Sequence, residues 1–224
     1  MKRRYPYLAI TAVVIAYTSI ATAILFSPWF NWFNNALSDL GNTSNPLNIT
    51  SSAAWIFDSG LILAGILITL FALLLSRDEH YSWKYVIWVI PLLISTIDLS
   101  LIGVFNESFG NIHLVVSIIF FFFTALTLLT YSYVSFPLGT PKTGAVSLIL
   151  GVLCAAVWVA RWPWQGVAIQ ETVTSLASSA LVLLVAIQRV KTTSLSGTMK
   201  PESARSLRVL VQNYDEDFRS HNLG

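Results

Sequence analysis

The chain has 224 residues, of which 55% are apolar and only 11% charged, with a formal net charge of +2. Soluble domains carry roughly 25% charged residues, so this composition, with a mean hydropathy of +0.68, excludes a water-covered globular fold and makes lipid the solvent for most of the chain. A single cysteine excludes an intramolecular disulfide framework and a cysteine-only zinc site.

A membrane-spanning helix needs about 20 mainly apolar residues, because the hydrocarbon core is about 30 Å thick and each residue rises 1.5 Å. Six stretches qualify, at about 7–26, 53–75, 85–104, 112–136, 144–160 and 167–188. None alternates with period two, which predicts helices instead of barrel strands. The first follows Lys2, Arg3 and Arg4 as a secretory signal would, but it ends at Ser27-Pro28-Trp29 without a small-residue cleavage pattern and reads as a retained signal anchor. A longer connection, 27–52, precedes the second span. The fifth span is the shortest, and its alanines, glycines and Trp158 place it between others. Residues 191–224 turn to Ser, Thr and charge. They read as a tail in which Pro201-Glu202 opens a short helix carrying Leu207, Leu210 and Val211 beside Arg205 and Arg208, either partly ordered or lying on the inner leaflet. The expected fold is all-α: residues 1–190 form a six-helix antiparallel transmembrane bundle.

Short connections put successive loops on alternate sides. Twelve of the thirteen Lys and Arg then fall on one side and only Arg161 on the other. The positive-inside rule makes the first side cytoplasmic, with both termini there, and predicts a multi-pass protein of the cell membrane. Three Asn-x-Ser/Thr triplets, at Asn42, Asn48 and Asn106, fall outside. Trp29, Trp32, Trp55, Trp83, Trp88, Trp162 and Trp164 are expected at the two interfaces as anchors.

The acids are not scattered either. Asp39 lies in the first external loop, Asp58 opens span two, Asp98 sits in the outer half of span three, and Glu107 and His113 flank the start of span four. Arg161 closes span five and Glu171 opens span six, whereas the inner halves of the spans hold no acid. Ionisable groups in or beside spans are costly and therefore mark candidate sites. Helical spacing aligns His113, Ser117, Thr124 and Tyr131 on one face, and Glu171, Thr174 or Ser175, and Ser178 on another. Pro91, Ser95 and Asp98 share a third, and these stripes should face the bundle interior. Gly144, Ser147, Gly151 and Ala155 make a small-residue ridge for close helix approach. The plainer reading makes Asp58 and Glu171 first-turn helix caps and pairs Arg161 with one of the acids. No His-Glu-x-x-His, Gly-x-Ser-x-Gly or phosphate-cradling glycine loop is present. Asp39, Asp98, Glu107 and His113 are chemically able to bind a metal, but nothing in their spacing requires one, and neither a metal nor another cofactor is expected.

Three motifs occur in order: the loop Asn35-Ala36-Leu37-Ser38-Asp39-Leu40-Gly41-Asn42, the helix start Phe57-Asp58-Ser59-Gly60-Leu61, and Gly103-Val104-Phe105-Asn106-Glu107-Ser108-Phe109-Gly110 leading to Ile112-His113 and the run Phe120 to Phe123. This set resembles the prokaryotic membrane family catalogued as domain of unknown function 998, over about the first 190 residues. The resemblance implies a six-helix bundle with these loops packed together on its outer face. The family commonly has Phe-Pro-Glu where this chain has Phe105-Asn106-Glu107, a departure that keeps Glu107 and is expected to loosen the turn. More distantly, the Ser-Asp-x-Gly loop and the His opening a later span look like the eukaryotic Frag, DRAM and Sfk group, which is tied to lipid organisation and trafficking.

The functional expectation is a non-enzymatic membrane protein that binds a lipid headgroup or a partner protein, a second copy of itself included, through Ser38, Asp39, Gly41, Asp58, Asp98, Glu107, His113, Arg161 and Glu171. Membrane lipids are the expected partners and nucleic acid is not one. The alternative is a lipid-modifying enzyme in which His113 or Glu107 is the general base and Asp39 or Asp98 orients it or holds a metal, which requires His113 within hydrogen-bond reach of a carboxylate. A transporter or proton pathway comes third, because such a route needs polar groups through the whole membrane depth.

Overall fold

The computed structural model describes residues 4–47, 52–78 and 83–198. Those residues form α1 (Pro6–Leu25), α2 (Ser52–Asp78), α3 (Trp83–Val104), α4 (Asn111–Ser135), α5 (Pro141–Val159) and α6 (Ala168–Thr198), with single 3-10 turns at Ser38–Gly41 and Glu107–Phe109 and no strand among them. All six helices are long and apolar enough to cross a membrane, as a multi-pass protein requires. The helices α2 and α5 outrun their apolar stretches, because Ser76 and Arg77 continue one and Pro141, at a first-turn position that needs no N–H, starts the other. Residues 1–186 form one compact unit and 187–224 a second, of which the continuation of α6 to Thr198 is described. The amphipathic segment expected at 201–211, and the triplet at Asn48, lie outside the described residues.

Within the first unit, successive helices from α1 to α5 pack on one another. The start of α6 meets α1 where the Tyr17 hydroxyl lies 3.1 Å from Ser179 Oγ, and meets α5 where Trp158 Nε1 donates to Thr174 Oγ1 at 3.0 Å. The expected polar stripes face inward: Ser95, Asp98, His113, Thr124, Tyr131, Glu171 and Thr174 are buried. The small-residue face of α5 is buried against α4 at Gly144, Ser147 and Gly151, with Ser147 Oγ donating to the Leu128 carbonyl at 2.8 Å. That ridge continues through Cys154, because Ala155 is exposed. The opposite face of α5 leaves Ile149, Val152 and Val159 exposed, so this helix stands at the bundle's edge and not between others: it is narrow on one face only.

Two apolar clusters fill the bundle. One gathers Phe71, Leu75, Trp88, Leu92, Leu128, Tyr131 and Leu181. Trp88 is 1% exposed with its ring edge-on to Tyr131 at a centroid distance of 4.9 Å, so it is a core residue and not an interfacial anchor. Its position on α3 turns it towards α4, whereas Trp32, Trp55 and Trp162 are exposed as anchors are. The second cluster joins Ala23, Phe57, Leu61, Ile102, Val116 and Phe120 to Leu37 and Leu40 of the long first connection. These two leucines belong to a segment that otherwise meets water, so burying each contributes about 1.5–3 kcal/mol. Apolar contact between helices already in lipid gains little from the same effect. The connection is thereby pulled down into the end of the bundle, and it brings the Ser-Asp-Leu-Gly turn with it.

Candidate functional site

The turn is shaped by its own side chains. The Asp39 carboxylate accepts from the Ala36 N–H and from Asn35 Nδ2, both at 3.0 Å, which folds the segment back on itself ahead of the buried Leu40. Gly41 then lies against α2 so closely that a Cβ there would stand 2.3 Å from Asp58 Oδ1. The connection between α5 and α6 docks on the same segment: Gln165 and Gly166 N–H donate to the Phe33 carbonyl at 3.2 and 2.8 Å, and Ala168 N–H to Asn35 at 3.0 Å. Gly166 allows this, since a Cβ would meet the Asn35 carbonyl oxygen at 2.3 Å. The connection between α3 and α4 is joined through Ser108, whose Oγ lies 2.9 Å from Thr43 Oγ1 and donates to Asn42 Oδ1 at 3.1 Å.

His113, in the first turn of α4, is buried under these loops. Its Nδ1 lies 2.8 Å from the Phe105 carbonyl oxygen, an acceptor only, so Nδ1 carries a proton. Its Nε2 lies 3.0 Å from Glu107 Oε2 and 3.2 Å from Ser117 Oγ. A lone pair facing a carboxylate at that distance is repulsive, so one proton is shared between His113 and Glu107. The hydrogen bond from His113 holds the Glu107 carboxyl below its ordinary range; burial opposes this, and a hydrogen bond from the Ser38 hydroxyl supports it.

Two further carboxyl groups complete the cluster. Asp58 accepts from Asn106 Nδ2 at 2.8 Å and lies close enough to His113 to interact with it electrostatically. It stands in the second turn of α2, not the first, so it does not cap that helix. Glu171 is in the first turn of α6, yet its carboxylate accepts the Leu37 N–H of the first connection and interacts electrostatically with Glu107, His113 and Asp39. Asn106, expected to loosen its turn, does the reverse: besides holding Asp58, its Oδ1 accepts from the Ser108 N–H at 3.2 Å and caps the 3-10 turn. It is the residue that sequence reasoning missed, and its place next to Glu107 was the available signal.

The structure thus brings Ser38, Asp39, Gly41, Asp58, Glu107, His113 and Glu171 together and leaves two expected members out. Asp98 is buried on α3 away from the loops and makes no hydrogen bond or ion pair among the described residues. Arg161 is exposed and makes no ion pair among them. No three His, Cys, Asp or Glu side chains among the described residues are grouped to hold a metal ion, and Asp98 stands apart from the set that sequence allowed.

Beside the cluster a cavity of about 610 Å³ runs between α4, α5 and the start of α6. One end is polar, lined by Ser38, Glu107, His113, Ser117 and Glu171; the body is apolar, lined by Leu114, Ile118, Phe121, Phe122, Leu126, Leu129, Ala155, Trp158 and Val159. The apolar lining spans Leu114 to Leu129 along α4, about 22 Å at 1.5 Å per residue and longer than the roughly 15 Å of one leaflet's hydrocarbon. Leu114, Ile118, Phe122 and Val159 are exposed, so the cavity opens sideways.

No curated protein and no solved structure matches the chain. The family model described as a protein of unknown function, DUF998, matches residues 10–188, most of the length of the chain, and the chain belongs to that family.

Proposed function

We propose that this protein binds a single amphiphile, with its chain in the apolar body of the cavity and its head at the polar rim, and that the rim faces the outer leaflet. The observation that carries the reading is one cavity with an apolar length greater than a leaflet's depth, a polar end and a lateral mouth, within the usual size range of small-molecule sites, roughly 300–1,000 Å³. The orientation rests on the placement of twelve of thirteen basic residues. Chemistry on the amphiphile is the weaker reading, although His113 does lie within reach of a carboxylate. In a Ser-His-acid triad the acid holds one ring nitrogen and the serine the other. Here Glu107 and Ser117 both approach Nε2, and a backbone carbonyl occupies Nδ1. The proton shared with Glu107 removes the lone pair that a general base would offer to Ser117.

The test is native mass spectrometry of the detergent-released protein, with Ala155→Trp as the blocking variant. Ala155 lines the cavity but is exposed, so the larger side chain fills the groove without crowding the core. Retained lipid on the parent and its loss from the variant support the reading. Equal occupancy of both, or no lipid on either after mild extraction, overturns it.

A further inference from the structure

Resting on that reading, we infer that the head of the amphiphile is a protonated amine and not a phosphate, because the polar end of the cavity presents two carboxyl groups and, among the described residues, no lysine or arginine. Glu107 and Glu171 line it, and the basic side chain among its described lining residues, His113, already shares its proton with Glu107. Asp39 and Asp58 stand immediately behind, so carboxyl groups outnumber basic side chains at this end. A phosphate placed here would meet carboxyl groups with no lysine or arginine among the described residues to answer it, and burying its charge unpaired is costly.

Glu171 supplies the specific contact. Its side chain is more than nine-tenths buried, one carboxylate oxygen takes the Leu37 N–H, and the other has no hydrogen-bond donor among the described residues while the side chain lines the cavity. A buried carboxylate with an open acceptor is costly unless a donor fills it. An ammonium group carries three donors and a charge, so it answers Glu171 directly and has Ser117 and Ser38 as further acceptors on the same rim. A hydroxyl head can donate once but cannot form an ion pair with Glu171. The amine therefore satisfies the rim best, and the apolar body sets the rest of the ligand as one long hydrocarbon chain.

The experiment uses three probes with the same chain, hexadecylamine, hexadecanol and hexadecyl phosphate, titrated into the full-length protein in uncharged detergent and read by tryptophan fluorescence, Trp158 being part of the cavity wall. The amine is expected to bind at least about tenfold more tightly than the alcohol, which corresponds to ~1.4 kcal/mol, and the phosphate more weakly than either. Glu171→Gln keeps an acceptor for Leu37 while removing the charge. It should cost the amine about tenfold and the alcohol far less, and alcohol binding that is retained and still blocked by Ala155→Trp shows that the variant is folded. Equal binding of all three probes, blocked by Ala155→Trp, refutes the amine while the groove stands. Preference for the phosphate refutes it also. Failure of every probe, together with no retained lipid, removes the proposed function itself.

Discussion

Replacing Asn106 with alanine isolates the joint between the loops and the bundle. Asn106 donates to Asp58 Oδ2 at 2.8 Å and caps its own turn through Ser108 N–H at 3.2 Å. Asp58 is 5% exposed, and its other oxygen, pressed towards Gly41, already has no hydrogen-bond partner. Asn106→Ala therefore strands a buried carboxyl group, at a cost of about 1–3 kcal/mol, and removes a cap worth about 0.5–2 kcal/mol. Taken together the loss is about 1.5–5 kcal/mol. Each kcal/mol moves Tm by about 2–4 °C in a chain of this size, so a fall of about 3–20 °C is expected. Thermal unfolding in detergent, followed by the fluorescence of the eight tryptophans, reads it. Asp58→Ala separates the two contributions, since it removes the acceptor: in that background Asn106→Ala should cost little more than the cap, leaving a coupling of about 1 kcal/mol or more. A single-variant Tm within about 2 °C of the parent, or strictly additive losses, would refute the joint.

Acid should weaken the same region through Glu107. Its carboxyl is held below the ordinary 4.5, first by the hydrogen bond from His113, so the folded state binds fewer protons than the unfolded chain in that range. The contribution to stability is full above pH 4.5 and is lost as pH falls through the lowered folded value. Glu107→Gln should flatten that part of a Tm-against-pH curve; an unchanged acid limb contradicts the assignment. In the core, Trp88→Ala should cost about 3–5 kcal/mol by opening a cavity against Tyr131, whereas Trp55→Ala at the exposed start of α2 should stay within about 0.5 kcal/mol. Similar losses at both positions, compared by thermal unfolding, would return Trp88 to the interface.

Hydropathy is a signal carried by each stretch of chain on its own, and for that reason the six helices were legible with nothing but length and composition. The inward stripes were legible too, since the period of 3.6 residues fixes which side chains share a face. What sequence cannot carry is which face meets which helix. Asp98 satisfies the same depth argument as His113, but it lies away from the loops and outside the cluster. Trp88 has the composition of an anchor and the surroundings of a core residue. Ala155 and Cys154 are neighbours in the chain, yet the first faces outward and the second inward, a difference of one residue in register. Asn106 looked like a departure from a pattern because its partner, Asp58, is distant in sequence.

The clustering of acids at one end of the bundle follows from where donors are left over. Inside a membrane helix every backbone N–H is used by its own turn, so a buried carboxylate there finds no backbone donor. Loops and first turns have N–H groups to spare. Each acid in the cluster is held by a group from a connection or a helix start: Asp39 by Ala36 N–H and Asn35, Asp58 by Asn106, Glu107 by His113 and Ser38, and Glu171 by Leu37 N–H. These donors are available at depth only because Leu37 and Leu40 draw the first connection into the bundle and Gly41 and Gly166 let two backbones come into contact. Apolar burial in the loop thus makes the acidic rim affordable, and the rim in turn leaves one oxygen of Glu171 open towards the cavity. The charge separation read from the sequence is in this sense a consequence of how the loops fold, and the cavity's polar end is the place where that folding leaves an acceptor unfilled.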